Sequence, residues 1–117
     1  MVKRRSYGCG LEAALAVIGG KWKFLVVYRL AVNGPQRFGQ LRRLVDGVSE
    51  KMLISTLREL QADGIVVRTD FREVPPRVQY SLTEFGFELS RAVEPLCEWG
   101  TTHMLRISKL PSQTVDA

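Results

Sequence analysis

A chain of 117 residues has the length of one domain and can bury a core without cross-links, and 45% hydrophobic content excludes global disorder. The formal net charge of +5 is unevenly placed: residues 1–45 hold nine Lys or Arg (Lys3, Arg4, Arg5, Lys21, Lys23, Arg29, Arg37, Arg42, Arg43) against one acid, Glu12, a surplus of eight. A basic half of this kind points to a polyanion, nucleic acid before an anionic membrane surface, with plain solubilising charge as the competing explanation.

Residues 1–8 read as a basic arm, 9–108 as one domain and 109–117 as a flexible tail. Leu11, Ala14, Leu15 and Ile18 share one face of a first helix that Gly19-Gly20 ends. A second helix carries Trp22, Leu25, Val26, Arg29 and Leu30 at the same spacing, up to the breaker Asn33-Gly34-Pro35. A short third helix turns Phe38, Leu41 and Leu44 inward, and Asp46-Gly47 makes a turn. Ser49 is placed to cap a fourth helix, with Glu50 on its positive end and Leu53, Leu57 and Leu60 buried, running to Gly64. The period then changes from 3.6 to 2. Ile65-Val66-Val67 forms one strand, Val78, Tyr80 and Leu82 alternate in a second, and Pro75-Pro76 lies in a long tip between them. Thr83 caps a last helix that is apolar at Phe85, Leu89, Val93, Leu96 and Gly100, with Pro95 expected to kink or split it. Helix, turn, helix and hairpin in this order make a mainly α (α+β) fold, a winged helix-turn-helix with a two-stranded wing.

At this point the sequence resembles a known family. Ile18-Gly-Gly-Lys-Trp22, Arg37-Phe38 with Leu41, Val48-Ser49-Glu50-Lys51-Met52-Leu53, Leu57-Arg58-Glu59-Leu60, the wing run from Val74 to Thr83, Glu84-Phe85-Gly86 and Trp99-Gly100 are similar to the signature of HxlR-type winged helix-turn-helix regulators. The likeness covers roughly residues 9 to 100, and its strength lies in the order and spacing of the motifs together. One departure is Gly10, where many relatives carry proline; it touches only the chain's approach to the first helix. The resemblance implies a dimeric bacterial transcription regulator on an inverted-repeat operator, and a small dimer with no activation surface is read as a repressor before an activator. The resemblance also implies that the first and last helices, through Leu11, Leu15, Leu89, Val93, Leu96 and Trp99, form a homodimer surface. Two-fold symmetry would set the reading helices about 34 Å apart, one turn of DNA. The competing explanation is that these side chains fill their own subunit's core.

In this architecture the fourth helix enters the major groove of double-stranded DNA, and residues near its start reach base edges. Ser49, Lys51 and Ser55 are the expected base contacts, Met52 packs on a thymine methyl or fills the core, and Arg58 suits a phosphate. Arg37, Gln40 and Arg43, at the helix that crosses the backbone, also suit phosphates. Arg68, Arg72 and Arg77 in the wing are candidates for the narrow minor groove, unless Asp70 and Glu73 neutralise them. Which arginine inserts cannot be read from the sequence.

Two cysteines, Cys9 and Cys97, are too few for a disulfide framework or a zinc site. Cys9 precedes a helix and lies near Lys3, Arg4 and Arg5, a setting that activates thiols, and the resemblance adds that some relatives sense oxidants or electrophiles at such a position. Cys97 is the matching candidate for a resolving thiol. Against both stands cysteine's common role as a small buried hydrophobe. His103 is read as a lone surface residue without a metal partner. No catalytic constellation or nucleotide fingerprint is present, so no enzyme and no cofactor are expected, and no small-molecule effector can be named. No secretory signal or membrane span is visible, so a cytoplasmic site of action is expected. The second functional class is a winged-helix module that binds protein, which would want an apolar outer face where Lys51, Ser55 and Arg58 stand.

Overall fold

The computed structural model describes residues 6–111. Most of the basic arm expected at 1–8, with Lys3, Arg4 and Arg5, and most of the tail expected at 109–117 lie outside the described residues. Within them the order is α1 (Gly10–Ile18), α2 (Lys21–Asn33), α3 (Phe38–Leu44), α4 (Glu50–Ala62), β1 (Val66–Asp70), β2 (Val78–Leu82), α5 (Glu84–Thr102) and α6 (Met104–Ser108). The fold is a winged helix-turn-helix: α3 and α4 are the helix pair, and β1 and β2 pair antiparallel in the register Val66↔Leu82 to Asp70↔Val78. The turn between α3 and α4 reverses at Gly47, whose φ of 84° lies in the left-handed region that a side chain would strain.

The core sits where α2, α3, α4 and the root of the hairpin meet. Val26, Val27 and Leu30 come from α2, Leu41 from α3, Leu53, Leu57 and Leu60 from α4, and Ile65, Val66 and Leu82 from the hairpin, all buried. Trp22, Phe38, Tyr80 and Leu89 pack around them. Burial of large aliphatic side chains at about 1.5–3 kcal/mol each is the main force that sets α4 against α2.

Three details, in α2, β1 and α5, differ from the sequence reading. The buried face of α2 is turned by one residue: Val27 is inside, while Leu25 is exposed. In α1 no residue is buried, so its apolar stripe, Leu11 and Leu15 included, is not spent on the subunit's own core. β1 runs on to Asp70, which puts Arg68 within a strand and not at the tip. Pro95 neither splits α5 nor ends it. The proline gives up one backbone hydrogen bond, a loss that solvent can make good at an exposed position, and the helix continues to Thr102 before breaking at His103.

One pairing had no sequence signal. Gln36, in the loop between α2 and α3, exchanges two backbone hydrogen bonds with Tyr80 of β2, its N–H donating at 2.9 Å and its carbonyl accepting at 2.8 Å. The helix-turn-helix and the wing are thereby joined by backbone as well as by side-chain packing.

Candidate nucleic-acid interface

The α4 helix is built to hold one face outward. Ser49 accepts the Met52 N–H at 3.1 Å and fixes the first turn, and Leu53, Thr56, Leu57 and Leu60 lock the inner face. Lys51, Ser55 and Arg58 therefore stand exposed together on the other side. Met52 is exposed as well, which removes the core-filling alternative for it. Ile54 lies among Lys51, Ser55 and Arg58 on the same shallow surface, and the sequence reading missed it because an isoleucine in a helix is assigned to the core by default.

Charge on this face is arranged by the ion pairs around it. Glu59 is 3.2 Å from Lys23 of α2, so the acid next to Arg58 is engaged elsewhere. Glu50, at the start of α4, lies 3.9 Å from Arg42 of α3. Arg58 and Lys51 make no ion pair among the described residues. The pattern leaves positive charge toward solvent and turns the two acids to neighbouring helices.

At α3, Gln40 uses its side-chain oxygen to accept the backbone N–H of Arg37 at 3.0 Å, which caps the helix. Its amide N–H groups stay available. Arg37 and Arg43 are exposed at opposite ends of α3. Lys21 stacks over the Trp22 ring at 4.7 Å.

In the wing the three arginines are not equivalent. Arg68 is exposed within β1, opposite Tyr80. Arg72 is exposed in the tip, with a φ of 54° and its N–H donating to the Asp70 carboxylate at 2.9 Å. Arg77 is tied down: its guanidinium lies 3.7 Å from the Phe71 ring centroid and its Nε 3.4 Å from the Glu73 carboxylate. Among the described residues, the neutralisation weighed for the whole wing is seen for Arg77 and not for Arg68 or Arg72.

The remaining surface is apolar. Leu11 is 70% exposed, Leu96 63% and Leu105 78%, with Leu15, Trp99 and Met104 also in solvent. Val93 is half-buried, and Leu89 packs on its own subunit's core, which takes it out of the exposed face on which it was expected. The α6 residues Leu105 and Ile107 belong to this face too and were not anticipated, because five residues are too few to show a period. Cys97 is half-buried in a groove with Phe24 and Tyr28 of α2, and Cys9 is exposed at the N-cap of α1 with no side-chain hydrogen bond. His103, expected at the surface, is half-buried with its ring 5.1 Å from that of Trp99. Among the described residues no cluster of His, Cys, Asp and Glu could hold a metal, and no helix is long and apolar enough to cross a membrane.

Comparison with known proteins gives consistent matches. The family model described as HxlR-like helix-turn-helix matches residues 17–108. The HTH-type transcriptional regulator YkvN of Bacillus subtilis (strain 168), itself called uncharacterized, is 49% identical over 96 residues, covering 82% of this chain and 80% of that protein. The structure of the redox regulator HypR in its reduced form superposes with a TM-score of 0.79 at 42% identity, covering 87% of this chain and 100% of that one. The reduced form of the transcriptional regulator YodB from B. subtilis superposes at 0.70 with 32% identity, covering 80% and 92%.

Proposed function

Because the chain belongs to the HxlR-like helix-turn-helix family of transcriptional regulators, we propose that it is a sequence-specific repressor that binds an inverted-repeat operator as a homodimer in the cytoplasm. The observation that carries this is the outward row Lys51, Ser55 and Arg58 on a helix whose other face is wholly engaged in the core. A helix so held can enter a major groove without rearranging, with Ser55 and Lys51 at base edges, Met52 or Ile54 against thymine methyls, and Arg58, Arg37, Gln40 and Arg43 on phosphates. The many large apolar side chains left in solvent on α1, α5 and α6 support the dimer, since exposed apolar surface on a small domain marks an interface.

The test is titration of the protein against duplex from upstream of its own gene and against scrambled duplex, at rising salt. Preference for the upstream duplex with a steep fall in salt supports the regulator reading. Absence of binding to any duplex at low salt overturns it in favour of a protein-binding module.

A second reading concerns control. Exposure of Cys9 at a helix start, with redox regulators among the similar structures, favours a thiol switch in which an oxidant or electrophile modifies Cys9 and releases the DNA. Cys97 is the candidate resolving thiol, from the same subunit or its partner.

A further inference from the structure

The sequence makes three wing arginines look alike, and the geometry separates them. We propose that Arg77 is a positioning residue that holds the wing tip in shape, and that Arg72 is the wing side chain that meets the DNA. The proposal rests on the DNA-binding reading above and deepens it.

Phe71 directly follows β1 and Arg77 directly precedes β2, so the two flank the tip. Their backbones are joined, the Phe71 N–H donating to the Arg77 carbonyl at 2.9 Å. Their side chains are joined again, with the guanidinium 3.7 Å from the ring centroid, a cation–π stack. Glu73 then reaches from within the tip to the Arg77 Nε at 3.4 Å, pulling the first half of the loop onto the second. The Arg77 Nε is buried and has no hydrogen-bond partner, and its side chain is only 34% exposed. To touch a phosphate, Arg77 would have to leave both an aromatic face and a carboxylate that already balances its charge.

Arg72 stands in the opposite condition. It lies between the two anchored residues Phe71 and Glu73, and its backbone is held in the left-handed region at φ 54° by the Asp70 carboxylate, which accepts its N–H at 2.9 Å. A non-glycine residue at positive φ is uncommon and persists where its surroundings fix it. Its side chain is exposed and makes no ion pair among the described residues. A fixed backbone carrying a free guanidinium lowers the ordering cost of entering a narrow, negative groove. Arg68, further down the strand, lacks this placement at the tip.

The experiment combines two readouts on Arg68→Ala, Arg72→Ala, Arg77→Ala and Phe71→Leu. The first is duplex affinity across a salt series. Arg72→Ala is expected to weaken binding about tenfold and to flatten the slope of log K against log salt by about 0.9, the loss of one neutralised phosphate. Arg77→Ala and the uncharged change Phe71→Leu are expected to weaken binding several-fold with the slope unchanged. Arg68→Ala is expected to leave both nearly as in wild type. The second readout, on the free protein, is exchange of the backbone amide at position 71, which should quicken in Arg77→Ala and Phe71→Leu and stay unchanged in Arg72→Ala. A slope that drops for Arg77→Ala or Arg68→Ala in place of Arg72→Ala overturns the assignment. Unaltered Phe71 exchange in Arg77→Ala overturns the positioning role. If wild type binds no duplex, the regulator reading fails and the Arg72 role falls with it, while amide exchange still decides the role of Arg77.

Discussion

The Thr83 hydroxyl donates to the carbonyl oxygen of Gly64 at 2.6 Å, tying the end of the α4 segment to the start of α5. The Thr83 hydroxyl oxygen in turn accepts the Gly86 N–H at 3.0 Å and so caps α5. One side chain therefore sets the helix of the outer face relative to the helix of the apolar face.

Thr83→Val keeps the shape and removes the hydroxyl's bonds to the Gly64 and Ile65 carbonyls and to the Gly86 N–H, which loses its cap. The expected cost is about 1–2 kcal/mol, seen as a lower Tm by circular dichroism, with Thr83→Ser close to wild type. A Thr83→Val protein as stable as wild type would show that the bridge contributes nothing.

Gly86 is where α5 approaches the hairpin root, and a methyl group there would collide with the backbone carbonyl of Ile65 and crowd Leu82. Backbone cannot move aside as a side-chain end can. Gly86→Ala is expected to destabilise by about 1–3 kcal/mol despite alanine's better helix propensity. Thermal unfolding with an unchanged or raised Tm would contradict this close approach.

On α4, Ser55→Ala and Arg58→Ala should separate two kinds of contact. Arg58→Ala is expected to weaken specific and scrambled duplex alike and to lower the salt slope by about one. Ser55→Ala is expected to weaken the specific duplex alone, by about 1–3 kcal/mol, and to leave the slope in place. The same loss on both duplexes in both variants would remove Ser55 from base readout.

Leu96 is exposed on α5, so Leu96→Glu should leave the subunit's fold within about 0.5 kcal/mol of wild type. In sedimentation it should shift the protein toward monomer, and operator affinity should fall by about a hundredfold or more as the two half-sites are no longer linked. A variant that stays dimeric would place the interface elsewhere.

Cys9 has the extended backbone of an N-cap, φ −157° and ψ 167°, without a side-chain bond to the helix. Serine is among the preferred residues there, so Cys9→Ser should hold or raise Tm while abolishing any thiol response. Oxidation is expected to release DNA from wild type and not from Cys9→Ser, read by gel shift before and after mild oxidant. Release from both would move the sensor off Cys9.

The elements that sequence made legible are those with many residues voting for one period. The α4 helix, with its cap at Ser49 and its leucines at fixed spacing, was readable to within two residues of its end, and so was the switch to period 2 at β2. The features that stayed hidden depend on single contacts. The Gln36–Tyr80 pairing engages one residue of a loop and leaves no pattern. The difference between Arg72 and Arg77 arises from a ring and a carboxylate across a turn, which spacing alone does not place. The exposed stripe of α1 shows the remaining limit: periodicity reports that a face is apolar, and does not say whether its own subunit covers it.

The two-way backbone pairing of Gln36 with Tyr80 makes the protein a calliper. With the α3–α4 pair and the wing clasped through main chain as well as through side-chain packing, a change in their separation has to break backbone hydrogen bonds. If the protein holds DNA as proposed, that restraint would favour duplexes that narrow or bend at little cost at base pairs no side chain touches.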